Sequence, residues 1–316
     1  MSIRLRDAAL ARPVPLLPST IVAPVAARYI AGATIEEAIG VALRLGRTGT
    51  SATLDILGES VQTESEAAAH AAQYADLLAA LETARIIPHV SVKPSALGSL
   101  FSWDTCEHFV RAIVTDAESR GGTVCLDMEA SLTTDATLAL YRRLRNEGHE
   151  NVETVIQARL FRSENDIADL ADLKPRLRIC KGIYPEPATI AHTDANPIRS
   201  QFVRCVDAAI DTGCRVQIAT HDEALIAHAR ERIRQDRLPP QRYEFQMLLG
   251  VREDAARTLI AAGHPVRVYV PFGPDWHAYS IRRLRESPQV AGYIASSTLH
   301  SLTLAMRSLA PKAQRR

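Results

Sequence analysis

The chain has 316 residues, of which 47% are hydrophobic and 23% charged, values usual for a soluble globular protein that exclude disordered and fibrous classes. Its formal net charge of +1 gives no electrostatic reason to expect nucleic acid as a partner or strong attraction to acidic lipid. The length allows either one large α/β barrel or two ordinary domains.

The N-terminal part of the chain predicts helices. A proline-rich opening interrupts any apolar run, so it does not read as a secretory signal, and no stretch approaches the roughly 18 apolar residues of a membrane-spanning helix. An Ala-rich stretch with helical spacing follows and breaks at Gly32, and Thr34 with Glu37 has the pattern of a helix capping box. We therefore expect a helical segment over residues 1–48, packed on a domain that covers residues 49–316.

Beyond residue 48, short apolar runs alternate with helical stretches. The predicted strands are residues 51–57, 86–92, 123–128, 154–160, 177–183, 215–220, 243–249 and 266–270. The helical stretches between them include residues 65–84, 135–146, 198–211, 223–236 and 254–262. Parallel strands need long connections, so this alternation predicts an α/β fold of the (β/α)₈ TIM-barrel type. An open doubly wound sheet is the alternative, disfavoured because no GxGxxG turn follows a strand.

Cysteine usage and residue spacing exclude several kinds of chemistry. The five cysteines form no CxxC pair, which predicts free thiols and a reducing, cytoplasmic location. No set of His, Cys, Asp and Glu has the spacing of metal ligands, so we expect no metal. The absence of a GxSxG motif gives little support to acyl transfer.

Polar side chains gather at the predicted carboxyl ends of the strands, where barrel enzymes place their catalytic groups. They are Lys93, Asp127, Glu129, Gln157, Arg159, Arg178, Lys181, Tyr184, Thr220, His221, Asp222, Gln246 and Tyr269. A buried Asp127 would need a cationic partner, for which Arg178, Lys93 and the arginine pair Arg282 and Arg283 are candidates. Each of these residues could instead have a purely structural role: Lys93 could be a solvated surface charge, and His221 could form a hydrogen bond to the backbone.

An excess of cations at this predicted mouth indicates an anionic ligand. Arg282 and Arg283 follow the last strand on a predicted helix, and guanidinium groups suit a planar carboxylate. A solvated basic helix surface is the alternative for this pair.

Nine motifs in sequence order together resemble the proline dehydrogenase family, and specifically its monofunctional bacterial branch. They are RYIAGATIEEAI, TLDILGESV, SVKPSALG, CLDMEAS, VIQARLFR, RICKGIYPEP, IATHDEALIAHA, YEFQMLLG and RVYVPFGPDWHAYSIRRLRE. The resemblance implies a distorted (β/α)₈ barrel that binds FAD. It also implies oxidation of L-proline to Δ1-pyrroline-5-carboxylate by hydride transfer to flavin N5, with electrons passed to a quinone. A quinone acceptor would require peripheral contact with the inner face of the membrane.

The resemblance also implies roles for individual residues. Asp127 and Arg178 would be the catalytic residues, while the substrate would be held by Lys93, Tyr184, Leu248, Tyr269, Arg282 and Arg283. FAD would be bound by Met128, Gln157, Arg178, Cys180, Lys181, Gly182, Thr220, His221 and Glu286. Arg159 and Leu249 depart from the family pattern, which leaves the electron-acceptor preference open.

Two other functions remain compatible with the residues. Lys93 or Lys181, near strand ends, could form the Schiff base of a lyase or aldolase. A barrel without catalytic activity could instead bind an amino acid or FAD as a sensor.

Overall fold

Eight short and largely buried strands are the centre of the fold. The structure is a computed structural model that describes residues 28–276, in which Tyr29–Pro274 form one compact unit. The strands are β1 (Ser51–Ile56), β2 (His89–Val92), β3 (Thr123–Leu126), β4 (Val152–Gln157), β5 (Arg176–Cys180), β6 (Arg215–Ala219), β7 (Tyr243–Leu248) and β8 (Val266–Phe272). Every neighbouring pair is parallel, and β8 pairs with β1 to close the barrel. The predicted (β/α)₈ architecture is therefore confirmed, and the open sheet is excluded.

Helices connect the strands on the outside of the barrel. They are α1 (Ile35–Gly46), α2 (Glu64–Thr83), α3 (Trp103–Ser119), α4 (Thr134–Asn146), α5 (Ser163–Leu170), α6 (Ala195–Asp211), α7 (Glu223–Gln235) and α8 (Glu253–Ala261). The capping box predicted at the start of α1 is present, with the Thr34 hydroxyl accepting from the Glu37 amide. Helix α1 belongs to the unit Tyr29–Pro274, and residues 1–27 lie outside the described range, so the division at residue 48 stays a prediction.

Strands β4 and β5 each end three residues earlier than the sequence predicts, and the difference shapes the mouth of the barrel. Strand β5 ends at Cys180 because Gly182 adopts φ of 89°, which a strand residue does not. Strand β4 ends at Gln157, after which Leu160 forms an isolated antiparallel bridge with Ala191. The residues just past both ends therefore lie in loops over the mouth.

The interior of the barrel is polar toward its amino-terminal end. Arg267 donates to both carboxylate oxygens of Glu244 over 2.8 and 3.1 Å, and Gln217 donates to Glu153 over 2.7 Å. Barrel interiors are more often filled by branched aliphatic side chains. Here the alternate strand residues, such as Leu54, contribute to the hydrophobic core. These charged side chains lie inside the barrel, below its carboxyl-terminal mouth.

Candidate active site

Asp127, immediately after β3, is the residue on which the side chains at the mouth converge. Its Oδ1 accepts from Ser91 Oγ and from Arg178 Nη1, each over 2.6 Å. Its Oδ2 accepts from the Tyr269 hydroxyl over 2.9 Å and lies 3.7 Å from Lys93 Nζ. The partners predicted for a buried Asp127, Arg178 and Lys93, are therefore confirmed, and three of the four contacts come from residues assigned to the site by sequence.

The charge of Asp127 is set by these neighbours. Burial by itself would raise the pKa of Asp127, but the positive charges of Arg178 and Lys93 outweigh it and hold that pKa below its usual value. The carboxylate is consequently ionised at neutral pH and holds both cations in the mouth.

Arg178 is held from a second side by the polar interior. Its Nε donates to Gln246 Oε1 over 2.7 Å, and Gln246 in turn donates to Glu244 over 2.7 Å. The guanidinium carbon lies 5.3 Å from the centre of the Tyr269 ring, within cation–π range. Its Nη2 is buried and has no hydrogen-bond partner in the part of the chain that the structure describes. Arg178 is thus fixed in orientation, and its Nη2 nitrogen is left to donate to a ligand.

Asp55 and Ser91 are site residues that the sequence analysis did not single out. The Asp55 side chain is fully buried, and its Oδ1 accepts from Lys93 Nζ over 2.6 Å. Although burial lowers the pKa of Lys93, the charges of Asp55 and Asp127 outweigh it and hold that pKa well above its usual value. The sequence does contain a signal for them, because side chains two residues apart on a strand point to the same face. Ser91 lies two residues before Lys93 and pairs in register with Asp55, so all three side chains point into the barrel.

A second cluster lies past the ends of β5 and β6. Lys181 Nζ and Arg199 Nε both donate to Asp222 Oδ2, over 2.7 and 2.6 Å. Burial would raise the pKa of Asp222, but these hydrogen bonds and charges lower it to about 2. The Thr220 hydroxyl accepts from the Asp222 amide over 3.1 Å. Two cations therefore share one carboxylate, so this cluster at the ends of β5 and β6 carries a net positive charge.

His221 links the ends of β6 and β7. Its Nε2 accepts from the Leu248 amide over 2.9 Å, which places the ring proton on Nδ1. Burial, with the nearby charges of Arg252 and Lys181, lowers the pKa of His221 to about 4. The imidazole is therefore neutral at pH 7, and the backbone hydrogen bond considered for it from the sequence is present.

The segment after β5 lies against the end of β4. A Cβ added to Gly182 would lie 2.9 Å from Arg159 Cδ and 3.1 Å from Gln157 Oε1. Arg159 Nη1 donates to the Tyr184 carbonyl, and Gln157 Nε2 donates to the Glu129 carbonyl over 2.8 Å. Only a glycine allows this close approach, which fixes the course of the loop that carries Tyr184.

Met128 and Cys180 lie beside the Asp127 cluster in a small apolar group with Cys125 and Val155. All five cysteines are free, and all but the half-buried Cys180 are buried, which confirms the expected free thiols. Tyr184 is half-buried, and burial together with the charges of Glu129 and other nearby carboxylates raises its pKa.

The remaining expectations concern residues and features of the whole chain. Arg282, Arg283 and Glu286 lie outside the described residues, so their roles stay predictions. Among residues 28–276, no group of three or more His, Cys, Asp or Glu side chains could hold a metal ion. Within the same range, no helix has both the length and the apolarity needed to cross a membrane.

Comparison with known proteins decides the family. The model of the proline dehydrogenase family matches residues 38–295. The chain belongs to the proline dehydrogenase family. A proline dehydrogenase of Deinococcus radiodurans is 38% identical over 278 residues, covering 87% of this chain and 90% of that relative. Proline dehydrogenase 1 of Bacillus subtilis is 35% identical over 274 residues, covering 87% of this chain and 90% of the relative.

The fold of the family is also found among solved structures. Proline utilization A (PutA) from Bdellovibrio bacteriovorus, solved after inactivation by N-propargylglycine, superposes with a TM-score of 0.79 at 25% identity. The match covers 87% of this chain and 34% of that chain, so this chain corresponds to about a third of PutA. The family, enzyme class and barrel fold expected from the sequence are confirmed.

Proposed function

We propose that the chain is a flavin-dependent oxidoreductase that acts on a CH–NH bond. It oxidises L-proline to Δ1-pyrroline-5-carboxylate, the first step of proline catabolism, with FAD as cofactor. The observation that carries this proposal is the cluster of Lys93, Asp127, Arg178 and Tyr269, which lies at the carboxyl ends of the strands in a member of the proline dehydrogenase family.

The residues around β5 fit a flavin dinucleotide. Arg178 has a buried Nη2 without a partner in the described range, as expected of a donor reserved for a ligand acceptor. Gly182 offers bare backbone where a side chain could not fit, and Lys181 with Arg199 supplies positive charge suited to a diphosphate. The residues that would hold FAD are Met128, Gln157, Arg178, Cys180, Lys181, Gly182, Thr220 and His221, together with Glu286.

The other residues of the mouth would bind and orient the substrate. Lys93, with Arg282 and Arg283, would bind the proline carboxylate, and the ring would lie among Tyr184, Leu248 and Tyr269. Because the ring is held through its carboxylate, one particular carbon faces the cofactor. This positioning increases the reaction rate. FAD, when bound, supplies a hydride acceptor at N5.

Arg178 and Asp127 would serve the reaction without forming a bond to the substrate. Arg178 is a permanent cation in a buried setting, where a fixed charge stabilises developing negative charge more strongly than it would in water. Asp127 orients both Arg178 and Tyr269 by accepting a hydrogen bond from each.

A membrane quinone is the electron acceptor that we propose, reached by peripheral contact from the cytoplasmic side. An apolar rim supports this: six exposed large hydrophobic side chains lie in the loops that follow β2 to β5. They are Leu100, Phe101, Leu132, Phe161, Ile183 and Ile190. Leu132 is 83% exposed, and exposed apolar side chains grouped on one face often mark a contact surface. The rim lies on the same end of the barrel as Asp127.

The Schiff-base lyase alternative is disfavoured by the ion pairs of both lysines. A Schiff base requires a neutral amine, whereas Lys93 is held charged by Asp55, and Lys181 is paired with Asp222 over 2.7 Å. Borohydride reduction in the presence of a carbonyl substrate should therefore leave both lysines unmodified.

The proposed reaction is tested by steady-state turnover with a soluble quinone analogue. FAD-loaded protein should reduce the quinone with L-proline and not with D-proline, since the mirror image presents another face of the ring. FAD-loaded protein that turns over neither substrate would favour the sensor alternative.

The membrane contact is tested separately by co-sedimentation with lipid vesicles. The variant Leu132→Ser/Phe161→Ser should bind vesicles less than wild type does. Ile87→Ser is the matched control, because Ile87 is 63% exposed but lies between α2 and β2, at the opposite end of the barrel. Equal binding by all three proteins would contradict the assignment of the apolar rim.

A further inference from the structure

Asp55 is a fully buried carboxylate with no role in the binding of proline or FAD described above. It lies near the end of β1, and its closest contact is the 2.6 Å hydrogen bond from Lys93 Nζ. We propose that Asp55 is a positioning residue that holds Lys93 charged and aimed at the substrate carboxylate. This inference rests on the proposed oxidation of proline.

The ammonium group of Lys93 depends on Asp55 for its charge. Lys93 is 8% exposed, and burial on this scale favours the neutral amine. The other carboxylate nearby, Asp127, lies 3.7 Å from Nζ and already accepts hydrogen bonds from Ser91, Arg178 and Tyr269. Asp55 is therefore the closer of the two charges that keep this buried lysine protonated.

Counting the donors of Lys93 shows why this arrangement suits an incoming anion. An ammonium group has three N–H donors. One is used by Asp55, and a second points to the Tyr269 hydroxyl at 3.5 Å and to Asp127 beyond it. No further acceptor contacts Nζ among residues 28–276, so the third donor is left for the carboxylate of a ligand. Asp55 thus fixes Nζ from the β1 side while the opposite side remains available.

Two readings of Asp55 predict changes of opposite sign. If Asp55 merely opposed the charge of Lys93, Asp55→Asn would strengthen binding of a carboxylate. If Asp55 positions Lys93, the same substitution lets Nζ move toward Asp127 and makes Lys93 easier to deprotonate, so proline binding weakens. The direction of the change in KM separates the two.

The experiment is a double-mutant cycle of Asp55→Asn and Lys93→Met. We expect Asp55→Asn to raise the KM for L-proline at least tenfold, equivalent to about 1.4 kcal/mol, with kcat changed less than about threefold. In the Lys93→Met background, Asp55→Asn should change KM by less than about twofold, because the residue acts through Lys93. The KM of Asp55→Asn should also rise further with pH above neutrality, as Lys93 loses its proton. An unchanged or lowered KM, or additive effects in the cycle, would overturn the proposal.

Thermal unfolding of the same proteins gives a second readout that does not depend on proline. Lys93→Met should lower Tm by on the order of 5 °C, because it leaves Asp55 buried without its partner, and adding Asp55→Asn should restore part of that loss. Additive losses in Tm would contradict the coupling.

Asp166→Asn is the matched control, a buried carboxylate on α5 whose ion pair with Arg162 involves neither Asp55 nor Lys93. It should lower Tm without raising KM.

If the wild type does not oxidise proline, the proposed function fails and the substrate role of Asp55 fails with it, while Tm still decides its coupling to Lys93. If the wild type turns over and Asp55→Asn matches it, only this inference fails.

Discussion

Replacing Asp127 by asparagine should be costly, because it removes one of two carboxylates that face two buried cations. Asp127 and Asp55 oppose Arg178 and Lys93, and Arg178 lies 2.6 Å from Asp127. Removing one partner of a buried pair costs about 3–5 kcal/mol. Asp127 keeps 14% of its side chain exposed, so we expect the lower end, about 3 kcal/mol of unfolding free energy.

Thermal unfolding followed by circular dichroism measures this cost directly. For a chain of 316 residues, with an unfolding entropy of about 2.1 cal/mol/K per residue, about 3 kcal/mol corresponds to a fall in Tm of roughly 5 °C. Asp135→Asn is the control, since Asp135 is 83% exposed and its ion pair with Arg162 should contribute less than about 1 kcal/mol. Equal shifts in Tm for the two variants would refute the electrostatic account of the mouth.

The pH dependence of the Asp127→Asn effect has a definite sign. The pKa of Asp127 is lowered in the folded protein, so its ionised form stabilises the fold at pH values above the ordinary Asp pKa of about 3.9. This contribution is lost as the pH falls through the lowered pKa. The difference in Tm between wild type and variant should therefore narrow in acid and stay constant near neutrality.

Two further substitutions, Gly182→Ala and His221→Gln, test the surroundings of the site. Gly182→Ala and Gly263→Ala both force alanine to a positive φ, at a cost of about 1–2 kcal/mol each, but only at Gly182 does the new Cβ meet other atoms. Gly182→Ala should therefore weaken FAD binding in fluorescence titrations while Gly263→Ala does not, and equal FAD affinity of the two variants would contradict the placement of Gly182 against FAD. His221 has a pKa lowered to about 4, so its neutral form stabilises the fold above pH of about 6.5, a contribution lost as the pH falls to about 4. The fall in Tm over that range should be smaller in His221→Gln, and an identical pH profile would contradict this.

The barrel and the main site cations could be predicted because both are encoded locally. Alternating apolar and helical runs indicate eight strands; Lys93 directly follows one of those runs, and Arg178 lies within another. The strand ends were predicted less accurately, because β5 stops where Gly182 adopts a positive φ and β4 stops before Leu160 pairs with Ala191, and the apolar pattern specifies neither feature.

The side-chain contacts inside the barrel could not be predicted from local sequence patterns. Asp55 contacts Lys93 across 38 residues of sequence, and Tyr269 contacts Asp127 across 142. Such pairs depend on the register of the closed sheet, which local patterns do not specify. In the sequence, Asp55 is therefore only one polar residue in an apolar strand. The alternation of inward-facing positions nevertheless predicts that its side chain lies inside the barrel, on the same side of the sheet as Lys93.

Anaerobic mixing of the purified protein with L-proline tests the central claim most directly. The account predicts that the protein carries bound FAD, that L-proline bleaches its visible absorbance, and that one Δ1-pyrroline-5-carboxylate forms for each FAD reduced. Protein that binds no FAD, or FAD-loaded protein whose absorbance L-proline leaves unchanged, would contradict it.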